Sequence, residues 1–355
     1  MSLRVLVAED SLTVRRHLVR VLTADPDIHV VGEASTGSDA VALCRRLRPD
    51  AITLDILMSG MNGVVATAQI MAYTPTPILV VSATARGEMA SSFDALAAGA
   101  VDVLEKPRGD AGDDDWERRL VDKVKLVARV KVITHLLGRR ESHGDSRDSR
   151  DPSGGFVINA RSTSPRLVAL GTSTGGPAAL RTILGALPVD FPLPILVVLH
   201  MSTEFSDGLS EWLGSHIRLP VAFARDGEPL PMIGEGCIRL APPNLHLTVA
   251  GSRMQLIAQP PRNGFTPSID ALFESAAQTM NGRIIAGLLT GMGVDGAAGL
   301  LSIRRSGGTT FAQDAASSVV FGMPGAAVEL DAAQTVIPLS RIAPTLCTLT
   351  KGIQR

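Results

Sequence analysis

The feature that most constrains this chain is a repeated alternation of short apolar runs, each about a β-strand long, with stretches of helical periodicity. Over residues 3–107 the apolar runs are LRVLVA, HVVGEA, DAITLD, PILVVSA and VDVLEKP, with helical patterns from about Leu12, from about Ser38 and near 63–73. Runs that are apolar at successive positions suit strands buried on both faces, and crossover helices are what bury a parallel sheet on both sides. One more amphipathic helix is predicted from Asp113 to about Leu137, because Trp116, Leu120, Val124 and Val127 recur at helical spacing. Asp113, Asp114 and Asp115 suit its electropositive N-terminus.

The alternation breaks at GRRESHGDSRDSRDPSGG, residues 138–155, which mixes charge, serine and glycine with no apolar period and buries almost nothing. It resumes with RLVALG, a helix from about Pro177, PILVVLH, a helix from about Ser206 and VAFARDG. A β-rich stretch, CIRLAPPNLHLTVAGSRMQLI, is followed by a helix from about Ser268, RIIAGLLTG and a helix from about Ala297. The expected organisation is a first α/β domain at 1–137, a linker at 138–159 and a second, doubly wound α/β domain with a β-hairpin insertion at 160–355. A chain of 355 residues with 45% apolar content can fill both cores.

A formal net charge of −1 and an aromatic content of 3% leave neither a basic footprint nor stacking platforms, so no nucleic-acid partner is expected. The N-terminal MSLRVLVAEDS lacks the features of a secretory signal, and no apolar run approaches ~18 residues. No membrane insertion is expected, and a cytoplasmic location is the default. The three cysteines, Cys44, Cys237 and Cys347, lie far apart with no CxxC spacing, which indicates neither a disulfide framework nor a zinc site.

In open parallel sheets, functional groups gather at the carboxyl ends of strands. In the first domain those ends carry Glu9 and Asp10, then Asp55, Ser82 and Lys106. Carboxylates on one rim suit Mg²⁺, which neutralises a phosphoryl group while an aspartate attacks it, and a lysine pairs with the product. A single acid at a strand end is more simply a helix N-cap, as Asp10 before SLTVRRHL would be. The whole set is not explained that way.

In the second domain LVALGTSTGGPAAL, residues 167–180, runs from strand through a glycine-rich turn into helix. A dinucleotide fingerprint wants glycine where Ser173 stands and an acid ending the next strand, where His200 stands. A phosphate-gripping loop wants a lysine that GTSTGGP lacks. The remaining reading is G-x-S-x-G, a tight elbow that exposes the Ser173 hydroxyl over a helix N-terminus already disposed toward negative charge. His200, at the end of the next strand, is the expected base, and His246 inside NLHLTV is its rival. Asp226, Asp295 and Asp314 all follow strand-like runs, and spacing does not choose among them as the orienting carboxylate.

Residues 1–108 resemble the receiver domain of two-component response regulators, a flavodoxin-like fold with a five-stranded parallel sheet. That resemblance implies phosphorylation of Asp55 by a histidine kinase, Mg²⁺ held by Glu9, Asp10 and Asp55, and sensing of the phosphoryl group by Ser82 and Lys106. The segments LGTSTGGP, LHM, TPSIDALF, LTGMGVDGAAG and AQDAASSVVFGMP occur in the order seen in the chemotaxis protein-glutamate methylesterase (CheB) family. This second resemblance covers residues 165–350 and implies a triad of Ser173, His200 and Asp295, with oxyanion donors from the backbone N–H of Met292 and the region of Thr174. It also implies the activity: phosphorylation-regulated hydrolysis of glutamyl methyl esters on chemoreceptors, releasing methanol, and deamidation of receptor glutamines by the same chemistry. The implied partners are methyl-accepting chemoreceptors and the chemotaxis histidine kinase, and the esterase step takes no cofactor.

Departures from the two families cluster in places. LDILMSGMNG lacks the usual proline after the phosphorylated aspartate and carries Ser59 and Asn62, and Val103 stands where many receivers have an aromatic. Ser202, Pro243, Asn244 and Thr266 replace commoner residues in the second domain. The first set bears on how a signal leaves the rim and the second on which receptor is bound. The rival from another class is a receiver joined to a degenerate hydrolase that only binds receptors or kinase, against which intact Ser173, His200 and Asp295 argue. A transcription factor would need a basic output half with a helix-turn-helix pattern, and neither is present.

Overall fold

The computed structural model describes residues 2–83, 86–106, 114–130, 132, 164–201 and 203–353. The chain divides into two compact units, Met1–Pro152 and Ser153–Arg355. The linker expected at 138–159 lies outside the described residues.

In the first unit, β1 (Leu3–Ala8), β2 (Ile28–Ala34), β3 (Ala51–Leu54), β4 (Ile78–Ser82) and β5 (Asp102–Glu105) form one parallel sheet in the order β2-β1-β3-β4-β5. Every residue of β3 and β4 is buried, as their unbroken apolar runs require. The strand order reverses between β1 and β3, which makes their carboxyl ends the place where a ligand crevice opens. Connecting helices α1 (Leu12–Ala24), α2 (Gly37–Leu47), α3 (Gly63–Tyr73) and α4 (Arg86–Ala97) alternate with the strands. Asn62, one of the departures, is the N-cap of α3, its side chain accepting from the Val65 N–H at 2.9 Å. The apolar runs alone do not announce α4, whose buried Met89, Phe93 and Leu96 stand among alanines and serines.

Helix α5 (Asp114–Val127) buries Trp116, Leu120, Val124 and Val127, the residues whose spacing predicts it. The Trp116 indole N–H donates to the Glu105 carbonyl at 2.7 Å and so ties the helix to the end of β5. The helix ends at Val127, short of the expected Leu137, with residues 128–130 outside it although Val130 is still buried; residues 133–137 lie outside the described residues.

The second unit opens with β6 (Leu167–Thr172), α6 (Gly176–Gly185), β7 (Ile195–Leu199), α7 (Thr203–His216), β8 (Val221–Phe223) and β9 (Ile238–Leu240). A separate antiparallel hairpin, β10 (His246–Ala250) and β11 (Arg253–Ile257), is the predicted insertion. Then follow α8 (Ile269–Met280), β12 (Ile284–Leu288), α9 (Ala297–Arg305), β13 (Thr309–Gln313), α10 (Met323–Glu329), β14 (Thr335–Ile337) and α11 (Leu339–Leu349). The seven-stranded sheet has the order β14-β13-β12-β6-β7-β9-β8, with every pair parallel. From β6 the chain builds outward to β7 on one side and, after the hairpin, from β12 to β14 on the other. The switch point is therefore between β6 and β12. Helix α8 lies over it, with Ile269 and Phe273 packed in one core cluster with Ala169, Val198 and Leu288.

Candidate active site

Two groups of chemistry-bearing side chains stand at the two switch points. In the first unit Glu9 follows β1, Asp55 follows β3, and both are buried, whereas Asp10 is exposed. Ligand oxygens of Glu9, Asp10 and Asp55 lie within 4.8 Å of one another. The Lys106 ammonium sits 2.9 Å from Asp55 Oδ2 and 3.1 Å from Glu9 Oε2. Both of those oxygens are buried without a well-directed hydrogen bond. Burial pushes the Glu9 carboxyl up to about 7, helped by the Asp55 charge and opposed by Lys106. Burial likewise raises Asp55 against the pull of Lys106. Carboxylate oxygens gathered this closely, with one lysine as their counter-charge, are a donor set that fits a hard divalent cation. Ser82, at the end of β4, is fully buried, and Val103 is buried within β5.

In the second unit the elbow is built by glycines whose places a larger residue would crowd. A Cβ on Gly171 would lie 2.4 Å from Ile269 Cγ2, and one on Gly176 would lie 2.5 Å from Leu199 Cδ1. Gly175, the N-cap of α6, adopts φ +80, the left-handed region that side chains resist. The turn thus needs its glycines both for packing and for conformation, and it delivers Ser173, partly accessible, before the helix N-terminus. The Ser173 N–H donates to the Thr290 carbonyl at 3.0 Å, which fastens the elbow to the loop after β12. The Thr290 hydroxyl donates to the Thr174 carbonyl at 2.9 Å and accepts from the Val320 N–H at 3.0 Å, and the Thr290 N–H donates to Gln313 Oε1 at 2.9 Å. These contacts leave the N–H groups of Thr174 and Met292 without a backbone acceptor among the described residues.

Thr172 pairs with Leu199 across β6 and β7, so Ser173 and His200 are the next residues on neighbouring strands. The His200 side chain is 4% exposed, and its Nε2 lies 2.9 Å from Asp295 Oδ2. Its Nδ1 is buried with no hydrogen-bond partner among the described residues. Asp295 is fully buried and accepts from the Ser268 hydroxyl at 2.8 Å, the Ile269 N–H at 2.7 Å and Asn263 Nδ2 at 3.1 Å. Burial alone would raise the Asp295 carboxyl; His200, the Ile269 N–H, Asn263 and Ser268 outweigh it and hold the group well below the usual carboxylate range.

The rivals are engaged elsewhere. His246 is buried with both ring nitrogens committed, Nδ1 accepting from the Ser268 N–H at 3.1 Å and Nε2 donating to the Pro260 carbonyl at 3.2 Å. Asp226 Oδ1 accepts from the Leu256 N–H, and Asp314 Oδ1 from the Ser317 N–H. Sequence reasoning did not single out Asn263, Phe265, Ser268, Asp270 or Thr290. Phe265 stacks on His200 with ring centroids 3.8 Å apart and planes 4° apart. Of the departures, Thr266 has a buried hydroxyl without a partner among the described residues, Asn244 holds φ +61 and meets Thr203, and Ser202 lies outside the described residues.

A rim of buried carboxylates with a lysine, followed by an α/β domain with a serine, histidine and aspartate at its switch point, defines a response regulator with an enzymatic output domain. Residues 5–112 match the response regulator receiver domain family and residues 168–346 the CheB methylesterase family. The chain belongs to the CheB methylesterase family. It is 44% identical over 353 residues to a protein-glutamate methylesterase/protein-glutamine glutaminase of Nitrosospira multiformis, covering 98% of this chain and 97% of the relative. It is likewise 44% identical to protein-glutamate methylesterase/protein-glutamine glutaminase 4 of Myxococcus xanthus, covering 99% and 98%. Among solved structures, the CheB methylesterase catalytic domain of Thermotoga maritima is 36% identical with a TM-score of 0.49, covering 53% of this chain and 100% of that one. No described helix is long and apolar enough to cross a membrane.

Proposed function

We propose that this protein is a phosphorylation-regulated hydrolase that removes methyl from glutamyl methyl esters on cytoplasmic chemoreceptor helices, releasing methanol, and deamidates receptor glutamines by the same route. The observation that carries the reading is the His200–Asp295 pair, 2.9 Å apart and buried beside the Ser173 elbow. In this mechanism Ser173 Oγ attacks the ester carbonyl while His200 takes its proton at Nδ1, the ring nitrogen Asp295 leaves free. Asp295, held ionised, fixes the imidazole tautomer and offsets the charge that appears on it. The N–H groups of Met292 and Thr174 stabilise the oxyanion. Collapse of the tetrahedral intermediate transfers the proton to methoxide and expels methanol. Water, deprotonated by His200, then releases the glutamate carboxylate and restores Ser173.

Asp295→Asn preserves shape but presents the wrong imidazole tautomer, and is expected to lower methanol release from methylated receptor fragments by up to ~10⁴-fold. Asp314→Asn is expected to stay within about tenfold of the parent. The reverse ranking in the same assay would show that the orienting carboxylate is Asp314.

For the receiver we propose Asp55 as the phosphoryl acceptor and a chemotaxis histidine kinase as donor. Glu9, Asp10 and Asp55 would hold Mg²⁺, which when bound supplies charge neutralisation for the transfer. Asp55 is the nucleophile, Lys106 pairs with the phosphoryl oxygens, and Ser82 donates to them after local rearrangement. The unphosphorylated receiver restrains the esterase. A restraint of a few kcal/mol corresponds to a rise of ~10 to 100-fold on release. Deleting residues 1–150 is expected to raise basal methanol release by that factor. A small-molecule phosphodonor with Mg²⁺ should raise it in the full chain and not in Asp55→Ala. Equal activity in all these forms would mean that the receiver localises the enzyme instead of gating it.

A further inference from the structure

Resting on the esterase reading above, we propose that the turn Arg262–Phe265 is a positioning element for the hydrolytic pair, with Phe265 setting the plane of the His200 ring and Asn263 fixing the Asp295 carboxylate. The turn is a tight two-residue loop: the Arg262 N–H donates to the Phe265 carbonyl at 3.0 Å and the Phe265 N–H to the Arg262 carbonyl at 2.9 Å. Asn263 and Gly264, the residues between them, have φ +52 and +83, the pairing that a primed hairpin turn requires. Arg262 is anchored to α8 by an Nη2 placed 2.9 Å from each Glu274 carboxylate oxygen. This small rigid unit holds two side chains against two members of the site.

Phe265 covers one face of the imidazole in near-parallel contact. A ring held at Nε2 by a single hydrogen bond can still swing about the axis of that bond; a parallel aromatic face blocks the swing. The nitrogen so controlled is Nδ1, the proton acceptor in the proposed mechanism. Asn263 works on the other partner. Its Nδ2 donates at 3.1 Å to Asp295 Oδ1 and at 2.9 Å to Asp270 Oδ2, while Asp270 Oδ1 accepts from the Gly299 N–H at 2.7 Å. Asp295 and Asp270 are both buried carboxylates. One amide that donates to both holds them in place without adding a charge, and it leaves Asp295 Oδ2 directed at His200. Neither Phe265 nor Asn263 donates or accepts the reacting proton, so each acts through another residue.

The test uses the full chain and two kinetic readings: methanol release from methylated receptor fragments, and the rate at which a fluorophosphonate covalently modifies Ser173. The second reading depends on the base but not on receptor recognition. Phe265→Leu removes the aromatic face, Phe265→Tyr keeps it, and Asn263→Gly removes the amide while accepting the positive φ. Phe265→Leu and Asn263→Gly are each expected to lower kcat and the labelling rate by ~10 to 100-fold, the scale of a misplaced catalytic group, with KM changed less than about threefold. Phe265→Tyr is expected to stay within about threefold on both readings. Unchanged labelling by Phe265→Leu and Asn263→Gly, a loss carried by KM alone, or a Tyr variant as slow as the Leu variant would overturn the proposal. Should the parent release no methanol yet label at a rate that Phe265→Leu lowers and Phe265→Tyr keeps, the positioning role stands and the assignment of the ester substrate fails.

Discussion

Ser173→Ala is expected to lower methanol release by ~10⁴ to 10⁶-fold while leaving the protein folded, because members of a triad act as a unit and the loss of one idles the rest. The structure explains why the fold should tolerate the change. Ser173 is fastened to the elbow through its backbone N–H, which donates to the Thr290 carbonyl at 3.0 Å. The glycines and Thr290 hold the turn, and none of them is altered. The circular dichroism spectrum should match that of the parent, and stability by thermal unfolding should stay within about 0.5 kcal/mol, the range of substitutions that disturb no buried contact. Methanol release close to that of the parent would show that Ser173 is not the nucleophile.

The second large effect separates two histidines. His200→Ala is expected to cost about as much turnover as Ser173→Ala, since Ser173 then has no base. His246→Ala should retain most of its turnover per folded molecule and lose stability instead. Its imidazole satisfies the buried Ser268 N–H and meets the carbonyl of the exposed Pro260; removing it leaves the Ser268 N–H unpaired at ~1–3 kcal/mol, while the Pro260 carbonyl can turn to water. Measuring kcat and the unfolding midpoint on both variants separates the roles. Equal kinetic losses with equal stability losses would mean that the base has been misassigned.

Much of this was legible because parallel sheets write themselves into sequence as unbroken apolar runs. ILVVS and ILVVL read as strands and are buried at every position. Glu9, Asp55, Ser173 and His200 were legible for a related reason: each directly follows such a run, and the ends of parallel strands converge. The choice of Asp295 was not. It depends on His200, Ser268, Ile269 and Asn263, residues from 26 to 95 positions away, and no local pattern encodes that convergence. Asn263-Gly264 announces a turn by composition, but not that the turn touches the site. The C-terminal elements were hidden by their own chemistry, α11 by Pro344 inside it and α10 by its length of seven residues. The end of α5 at Val127 was not legible in the sequence, because the apolar spacing runs on to Val130, which is buried although it lies outside the helix.

The most direct test of the central claim is methanol release from a methylated chemoreceptor fragment by the full chain, activated with a phosphodonor and Mg²⁺, alongside the same chain carrying Ser173→Ala. The account predicts one methanol released for each glutamyl ester converted to glutamate by the parent, and release at least ~10⁴-fold slower in the variant. A parent chain that binds the fragment but leaves its esters intact, or a variant that hydrolyses them at the parent's rate, would contradict it.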